Sequence, residues 1–238
     1  MIDFPTYKSF GDRAILVEWP SEIDNNIIED INRFKNKILV KKDWDILDYI
    51  IGYNSLTIVF KSPIRNIKFK IEELKVLKKD ATSIRKMSNN LWQIPVCYEP
   101  EFGIDLVTLA QEKEITIETV IKIHSEVTYK VFFTGFLPGF LYLGGLDQRL
   151  HMNRKSTPRN KVPKGALAIG GTQTGVYPQE SPGGWNIIGK TPISFFDIEK
   201  EEPCFAKSGD SIQFTPISKE RFLEIEKEIK QGIYSLNK

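Results

Sequence analysis

The sequence has 238 residues, 41% of them hydrophobic and 27% charged, with 33 Lys and Arg against 31 Asp and Glu and a formal net charge of +2. This length allows one large or two small domains with a sizeable core, and the near-balance of charge excludes a general field for nucleic acid or an anionic membrane. Two cysteines without a CxxC spacing, and two histidines, His124 and His151, exclude a structural zinc site, so no metal is expected.

The N-terminal "MIDFPTYKSFGD" has no basic segment ahead of an apolar run, so no secretory signal is expected. "AILVEW" (Ala14 to Trp19) reads as a strand. Ile27, Ile28, Ile31, Phe34 and Ile38 recur at helical spacing behind Asp24, which is placed to cap them. "SLTIVF" (Ser55 to Phe60) reads as a second strand, and Ile67, Ile71 and Leu74 mark a second amphipathic helix. Lys61 to Lys86 carries nine basic residues against three acids. Only Phe69 interrupts this run, so it reads as a solvated helix face, because a nucleic-acid patch interleaves aromatics. Strand, helix, strand, helix points to a small α+β domain over residues 1–88, with "MSNNL" (Met87 to Leu91) as the boundary.

A second domain over residues 89–238 begins with "LWQIPVCY". Two helices follow, one after Asp105 covering Leu106 to Lys113, and one after the cap Thr116. From Val131 the character changes, and eleven of the sixteen glycines lie between Gly135 and Gly189. The longest uncharged run, Val131 to Leu146, has 16 residues and is broken by glycines and a proline, too short to span a bilayer as a helix. A cytoplasmic protein with reduced cysteines is expected. "ALAIGG", "GVYP", "WNIIG", "ISFFDI" and "SIQFTPI" read as short strands separated by Gly or Pro, which favours a compact β-barrel or sandwich. A C-terminal helix behind Ser218 carries Phe222, Ile225, Ile229 and Ile233 on one face.

Gly184-x-x-x-x-Gly189-Lys190-Thr191 matches the phosphate-loop pattern of nucleotide hydrolases. A working phosphate loop opens a helix at its Gly-Lys-Thr end. Here Pro192 follows Thr191 directly and pushes it out of the helical region. Trp185, Ile187 and Ile188 suit a buried strand, so the match is read as accidental.

Several residues carry candidate chemistry. Ile117, Val120, Ile121 and His124 share one helical stripe, so His124 is either a satisfied core histidine or a general acid–base at the wall of a cleft. "TGFLPGFLYLGGL" (Thr134 to Leu146) is either a buried hairpin or a loop whose glycines, Gly135 and Gly139, bring backbone N–H groups to a ligand. Arg159, between Pro158 and Pro163, sits on a stiffened loop suited to clamping a carboxylate or phosphate. "GGTQTGVYP" offers Gln173, Thr174 and Tyr177, and "ESPGGWNIIGK" adds Ser181, Trp185 and Lys190. Together these describe a polar pocket on glycine-rich β-loops that holds a small carboxylate-bearing ligand.

The ordered series "GDRAILVE", "FFTGFLPGFLYLGGLD", "PRNKVPKGALAIGGTQTGVYPQESPGGWNIIGKTP", "FD" and "GDSIQFTPI" resembles the family of the 5-oxoprolinase B subunit. That family is also called allophanate hydrolase subunit 1, and it includes the sporulation-kinase inhibitor KipI. The resemblance implies an α+β chain in which a small α/β sandwich-like domain precedes a cyclophilin-like β-barrel with its C-terminal helix. It implies partnership with the homologous, larger C subunit of 5-oxoprolinase and with its A subunit, together opening 5-oxoproline to L-glutamate with consumption of ATP. By analogy with the paired carboxyltransferase domains of urea carboxylase, it turns His124, Arg159, Gln173, Tyr177 and Lys190 toward substrate, with the Gly135 to Gly139 loop beside them. In that reading His124, Arg159 and Lys190 do the chemistry. Lys190 stands where the family usually has Arg, keeping the cation without the bidentate fork. The resemblance leaves two alternatives, inhibition of a histidine kinase and half of a biotin-dependent carboxyltransferase.

Overall fold

The computed structural model describes residues 4–22, 24–41, 43–80 and 89–236. It divides into two compact units, Met1–Ser88 and Asn89–Lys238.

The first unit runs β1 (Thr6–Ser9), β2 (Ala14–Glu18), α1 (Asn25–Leu39), β3 (Ile46–Ile51), β4 (Ser55–Phe60) and α2 (Ile67–Lys79). The strands form an antiparallel sheet in the order β1-β2-β4-β3. Alternation puts Ile15, Val17, Leu56 and Ile58 on one face, and these are buried with Ile28, Ile31, Phe34 and Ile38 of α1. Asp24 caps α1 by accepting from the Asn26 N–H at 2.6 Å, and Asn66 caps α2 from the Phe69 N–H at 3.1 Å. The edge strands β1 and β3 were not expected from the sequence. The first is short and polar, and the second exposes Leu47 and Ile50, so neither shows half-buried alternation.

The basic run behaves as a solvated face over its described part. Lys61 pairs with Asp45, Lys70 with Glu73, Lys75 with Glu72 and Lys78 with Asp30; Arg85 and Lys86 lie outside the described residues. Lys37 is different. It is buried, and its ammonium donates to the carbonyls of Leu77, Lys78 and Asp80 at the C-terminal end of α2, where unsatisfied carbonyls favour a cation. Lys37→Met keeps the aliphatic stem and removes these bonds. It is expected to lower the stability of this unit by about 1–2 kcal/mol, read as an earlier chemical-denaturation midpoint. A groove of about 830 Å³ in this unit is lined by Lys41, Trp44, Phe69, Glu72, Val76 and Lys79 among others, and its mixed charges converge on no acid–base set.

The second unit runs β5 (Leu91–Val96), α3 (Leu106–Glu112), α4 (Ile117–Glu126), β6 (Thr128–Thr134), β7 (Leu141–Gly144), a 3-10 turn (Gln148–Leu150), β8 (Arg159–Val162), β9 (Ala166–Gly170), β10 (Gln173–Val176), β11 (Ser181–Gly183), β12 (Asn186–Lys190), β13 (Ser211–Pro216) and α5 (Lys219–Lys230). Seven strands form one sheet in the order β12-β9-β10-β7-β6-β13-β5. Its two ends meet where Cys97 and Lys190 exchange backbone hydrogen bonds of 2.8 and 2.9 Å, so the sheet curls into a nearly closed barrel. Ile94, Val96, Leu143, Ile169, Ile188 and Phe214 belong to the core it encloses. The fold is therefore α+β, with a small sheet-and-helix unit followed by a barrel.

The phosphate-loop match is β12, a strand with no helix after it. "ISFFDI" forms no strand. Ile193 and Phe195 are buried, as alternation suggests, but Ser194 bonds its own backbone at Phe196 O (2.9 Å) in place of a ladder partner. The C-terminal helix ends at Lys230, because Gly232 adopts φ 72° just beyond its cap Gln231. Ile233 is thereby left outside the helix and exposed.

Candidate functional site

The site is assembled on the outer face of β9 and β10. Two glycines make that possible. A Cβ on Gly170 would lie 2.5 Å from the Trp185 indole, and one on Gly175 would lie 3.3 Å from it, so the ring rests directly on the strand backbones. Phe140 stands edge-on to both Trp185 (5.5 Å) and Tyr177 (5.6 Å). Tyr177 is buried, and its phenol reaches Gly183 so closely that a Cβ there would be 2.3 Å from the hydroxyl. Burial pushes the Tyr177 pKa up, against the Trp185 backbone N–H bonded to its oxygen and the nearby charges of Arg154 and Arg159.

Cations surround this aromatic platform. The Arg154 guanidinium lies 5.6 Å from the Trp185 ring centroid. Arg159 Nη2 donates to Asp105 Oδ1 at 2.6 Å, and Lys155 Nζ approaches the same oxygen at 2.9 Å. Asp105 Oδ2 accepts from the Ile187 N–H at 2.7 Å. Burial alone would raise the Asp105 pKa, but the bonds from Arg159, Lys155 and Ile187 hold it below its ordinary value. Two cations thus share one carboxylate, and Arg154 is paired with none. Three buried polar atoms of this region, Arg159 Nη1, Gln173 Nε2 and Ser181 Oγ, have no hydrogen-bond partner. All three can donate, so the arrangement is built to receive an acceptor, preferably an anion.

The sequence-predicted site residues separate into groups. Arg159 and Tyr177 belong to this face, and Gln173, paired with Gly170 across β9 and β10, stands beside it. Gly139 contributes by packing. It adopts φ 83°, and a Cβ on it would meet Phe195 O at 2.7 Å, so it pins the β6–β7 turn and sets Phe140 against Trp185. Gly135 closes the same turn by donating to Phe140 O at 3.2 Å. Gly139→Ala is expected to cost about 1–3 kcal/mol and to change the near-UV dichroism of this aromatic cluster.

His124 and Lys190 lie elsewhere. Thr174 points to the opposite side of β10 from Gln173, and His124 Nε2 is 2.9 Å from its hydroxyl. Thr174 donates its single hydroxyl proton to Ala168 O at 3.1 Å, so Nε2–H donates to Thr174. The other ring nitrogen, Nδ1, then accepts from Tyr98 OH at 2.9 Å. The ring stacks on Phe214 at 5.1 Å and is fully buried, and burial lowers its pKa to about 3. Both nitrogens are engaged within the core. The Lys190 ammonium lies 5.8 Å from the Phe102 ring and 5.6 Å from Phe222, at the end of β12 remote from Trp185.

In the sequence Asp105 reads only as the residue ahead of a helix, and its side chain bonds no helical N–H. It organises Arg159 instead. Arg154 and Lys155 were also missed, although "NRKSTPR" places three cations together without an acid. Among the described residues no group of His, Cys, Asp or Glu is placed to hold a metal ion. No helix among them is long and apolar enough to cross a membrane.

A family model described as "Carboxyltransferase domain, subdomain C and D" matches residues 5–206. The chain belongs to this family. It is 33% identical over 229 residues to the 5-oxoprolinase B subunit of Bacillus subtilis (strain 168), covering 90% of this chain and 94% of that protein. That match places the chain in the more specific family of 5-oxoprolinase B subunits as well. Its fold is shared with the solved structure of TTHA0988, at TM-score 0.74 and 28% identity over 87% of this chain and 40% of that one. It is also shared with the Kluyveromyces lactis urea amidolyase, at TM-score 0.78 and 23% identity over 98% of this chain. The chain spans 16% of that amidolyase, so this likeness concerns the fold alone.

Proposed function

We propose that this family member is the B subunit of an ATP-dependent 5-oxoprolinase, opening 5-oxoproline to L-glutamate with a larger homologous C subunit and an A subunit in the cytoplasm. The observation that carries the reading is the 33% identity across 94% of the length of a protein named as a 5-oxoprolinase B subunit. The geometry supports the substrate class. Opening a lactam builds negative charge on the amide oxygen as water adds, and the product and substrate both carry a carboxylate. Arg159 Nη1, Gln173 Nε2 and Ser181 Oγ are buried donors without partners, suited to such charge in a site that excludes water. The Arg159 fork is held by Asp105, so its free edge is oriented before ligand arrives.

The nucleotide does not fit this chain's glycine-rich segment. Gly184 to Thr191 runs through a strand whose Ile187 and Ile188 are buried, so ATP belongs to the partner subunits. We assign His124 to the core rather than to proton transfer, and Lys190 to closing the barrel. Proton transfer is then supplied from the partner side of a shared site.

A second reading, half of a biotin-dependent carboxyltransferase, is favoured by the family's description. Deleting the gene separates the readings. The proposal expects 5-oxoproline to accumulate and its use as nitrogen source to fail, with rescue by the intact chain. Unchanged 5-oxoproline with loss of urea use would favour the carboxyltransferase. Unchanged 5-oxoproline with altered sporulation would favour kinase inhibition.

A further inference from the structure

The cation that sequence reading favours for gripping a carboxylate, Arg159, is already partnered by Asp105 at 2.6 Å, and Lys155 is held by the same carboxylate at 2.9 Å. Arg154 is the remaining guanidinium of the cluster. Among the described residues no carboxylate lies within ion-pair distance of it, and its one close aromatic contact is the indole of Trp185. That indole is itself immobilised, because Gly170 and Gly175 seat it on the backbone and Phe140 abuts its edge. A guanidinium packed on an aromatic ring keeps its planar N–H edge free for bidentate pairing. The charge of Arg154 and that of Arg159, whose Nη1 is an unpartnered buried donor, both act on the Tyr177 phenol, and Gln173, whose Nε2 is likewise unpartnered, pairs with Gly170, on which the Trp185 ring rests.

The geometry points to Arg154, held on Trp185, as the residue that binds the carboxylate of a small cyclic amide while Arg159 and Gln173 face the amide group. This rests on the substrate reading above. It divides the ligand between two cations, the free one taking the permanent charge and the Asp105-held one the charge that develops during reaction. A negative amino-acid side chain from a partner would offer the same chemistry, but the unpartnered donors of Arg159 and Gln173 call for a second acceptor on the same ligand, which a lactam that also carries a carboxylate supplies.

The test uses the reconstituted complex, with 5-oxoproline and with 2-pyrrolidinone, which has the same ring and no carboxylate. Arg154→Gln is expected to raise KM for 5-oxoproline about 10- to 100-fold, as for loss of one charge-assisted pair. Its kcat should stay within about two-fold and its handling of 2-pyrrolidinone should not change. Arg154→Lys should recover part of the loss, and thermal midpoints should match because Arg154 is exposed. An unchanged KM, or an equal loss for both ligands, would overturn the assignment.

A second arm needs no turnover. In the isolated full-length chain, acetate and 5-oxoproline should shift the Trp185 indole N–H resonance, identified by its loss in Trp185→Phe, and Arg154→Gln should abolish the shift. No shift in the native chain, or the same shift in Arg154→Gln, overturns the proposal. An inactive native complex that retains the Arg154-dependent shift would refute the oxoprolinase reading and leave the carboxylate site standing.

Discussion

His124→Ala is expected to lower the stability of the barrel unit by about 3–5 kcal/mol, the range for truncating a buried ring that leaves a cavity. At about 2–4 °C per kcal/mol, the melting midpoint falls by roughly 10 °C. The physical basis is double. The side chain fills space between Phe214, Tyr129 and Tyr98, and it joins Tyr98 OH to Thr174 OH. His124→Phe restores most of the volume but strands the Tyr98 hydroxyl, so an intermediate loss of about 1–3 kcal/mol is expected. A complex assembled from surviving His124→Phe chains should retain KM, since neither ring nitrogen reaches the outer face of β10.

The same residue sets an acid limit. Its pKa is about 3 in the folded chain against an ordinary value of about 6.5. Between those values the unfolded chain binds a proton that the folded chain refuses, so stability rises with pH across the window. The contribution is complete above about pH 6.5 and falls by about 1.4 kcal/mol per unit below it. His124→Phe should flatten the stability curve between about pH 4 and 6.5, as measured by denaturant midpoints.

Asp105→Ala is the second large effect. Asp105 is 4% exposed and receives hydrogen bonds from Arg159, Lys155 and the Ile187 N–H. Removing it strands three donors and leaves two cations facing each other. Breaking a buried pair this way costs about 3–5 kcal/mol. The Arg159 and Lys155 side chains keep 27% and 28% exposure, which places the expected loss near about 3 kcal/mol. Because the Asp105 pKa is depressed on folding, its contribution is present above about pH 4 and lost as pH falls through the folded value. Asp105→Ala should therefore remove the steep limb below about pH 4 and leave the His124 limb above it. It should also raise KM for 5-oxoproline, because Arg159 loses its orientation. Arg154→Gln differs from it by changing KM without changing stability.

Local signals were legible where one residue type answers one physical need. Asp24, Thr116 and Ser218 accept from backbone N–H groups two or three residues on, as their short oxygens before apolar stripes suggest. Pro192 and the β-branched run before it were enough to reject the phosphate loop. The edge strands were less legible because exposure on both faces erases alternation. "ISFFDI" was misread because burial of alternate side chains resembles a strand even without a ladder partner.

The site was legible as a set of loops but not as a set of roles. Trp185 and Tyr177 lie against the strands beside Gln173 because Gly170, Gly175 and Gly183 remove the side chains that would keep the two rings away from the backbone. Spacing cannot tell the two faces of one strand apart until its register is known, and that register puts Thr174 with His124 on the inside. Asp105 was unreadable for a different reason. A carboxylate one residue ahead of a helix looks like a cap, and only its tertiary partners 54 and 82 positions away reveal its work.

The most direct measurement is glutamate formation from 5-oxoproline by this chain combined with its candidate A and C subunits. The predicted result is ATP-dependent glutamate release that requires all three components, fails for each alone, and persists with His124→Phe while showing raised KM with Arg154→Gln. Glutamate release that proceeds undiminished without this chain, or no release from the complete and correctly assembled complex, would contradict it.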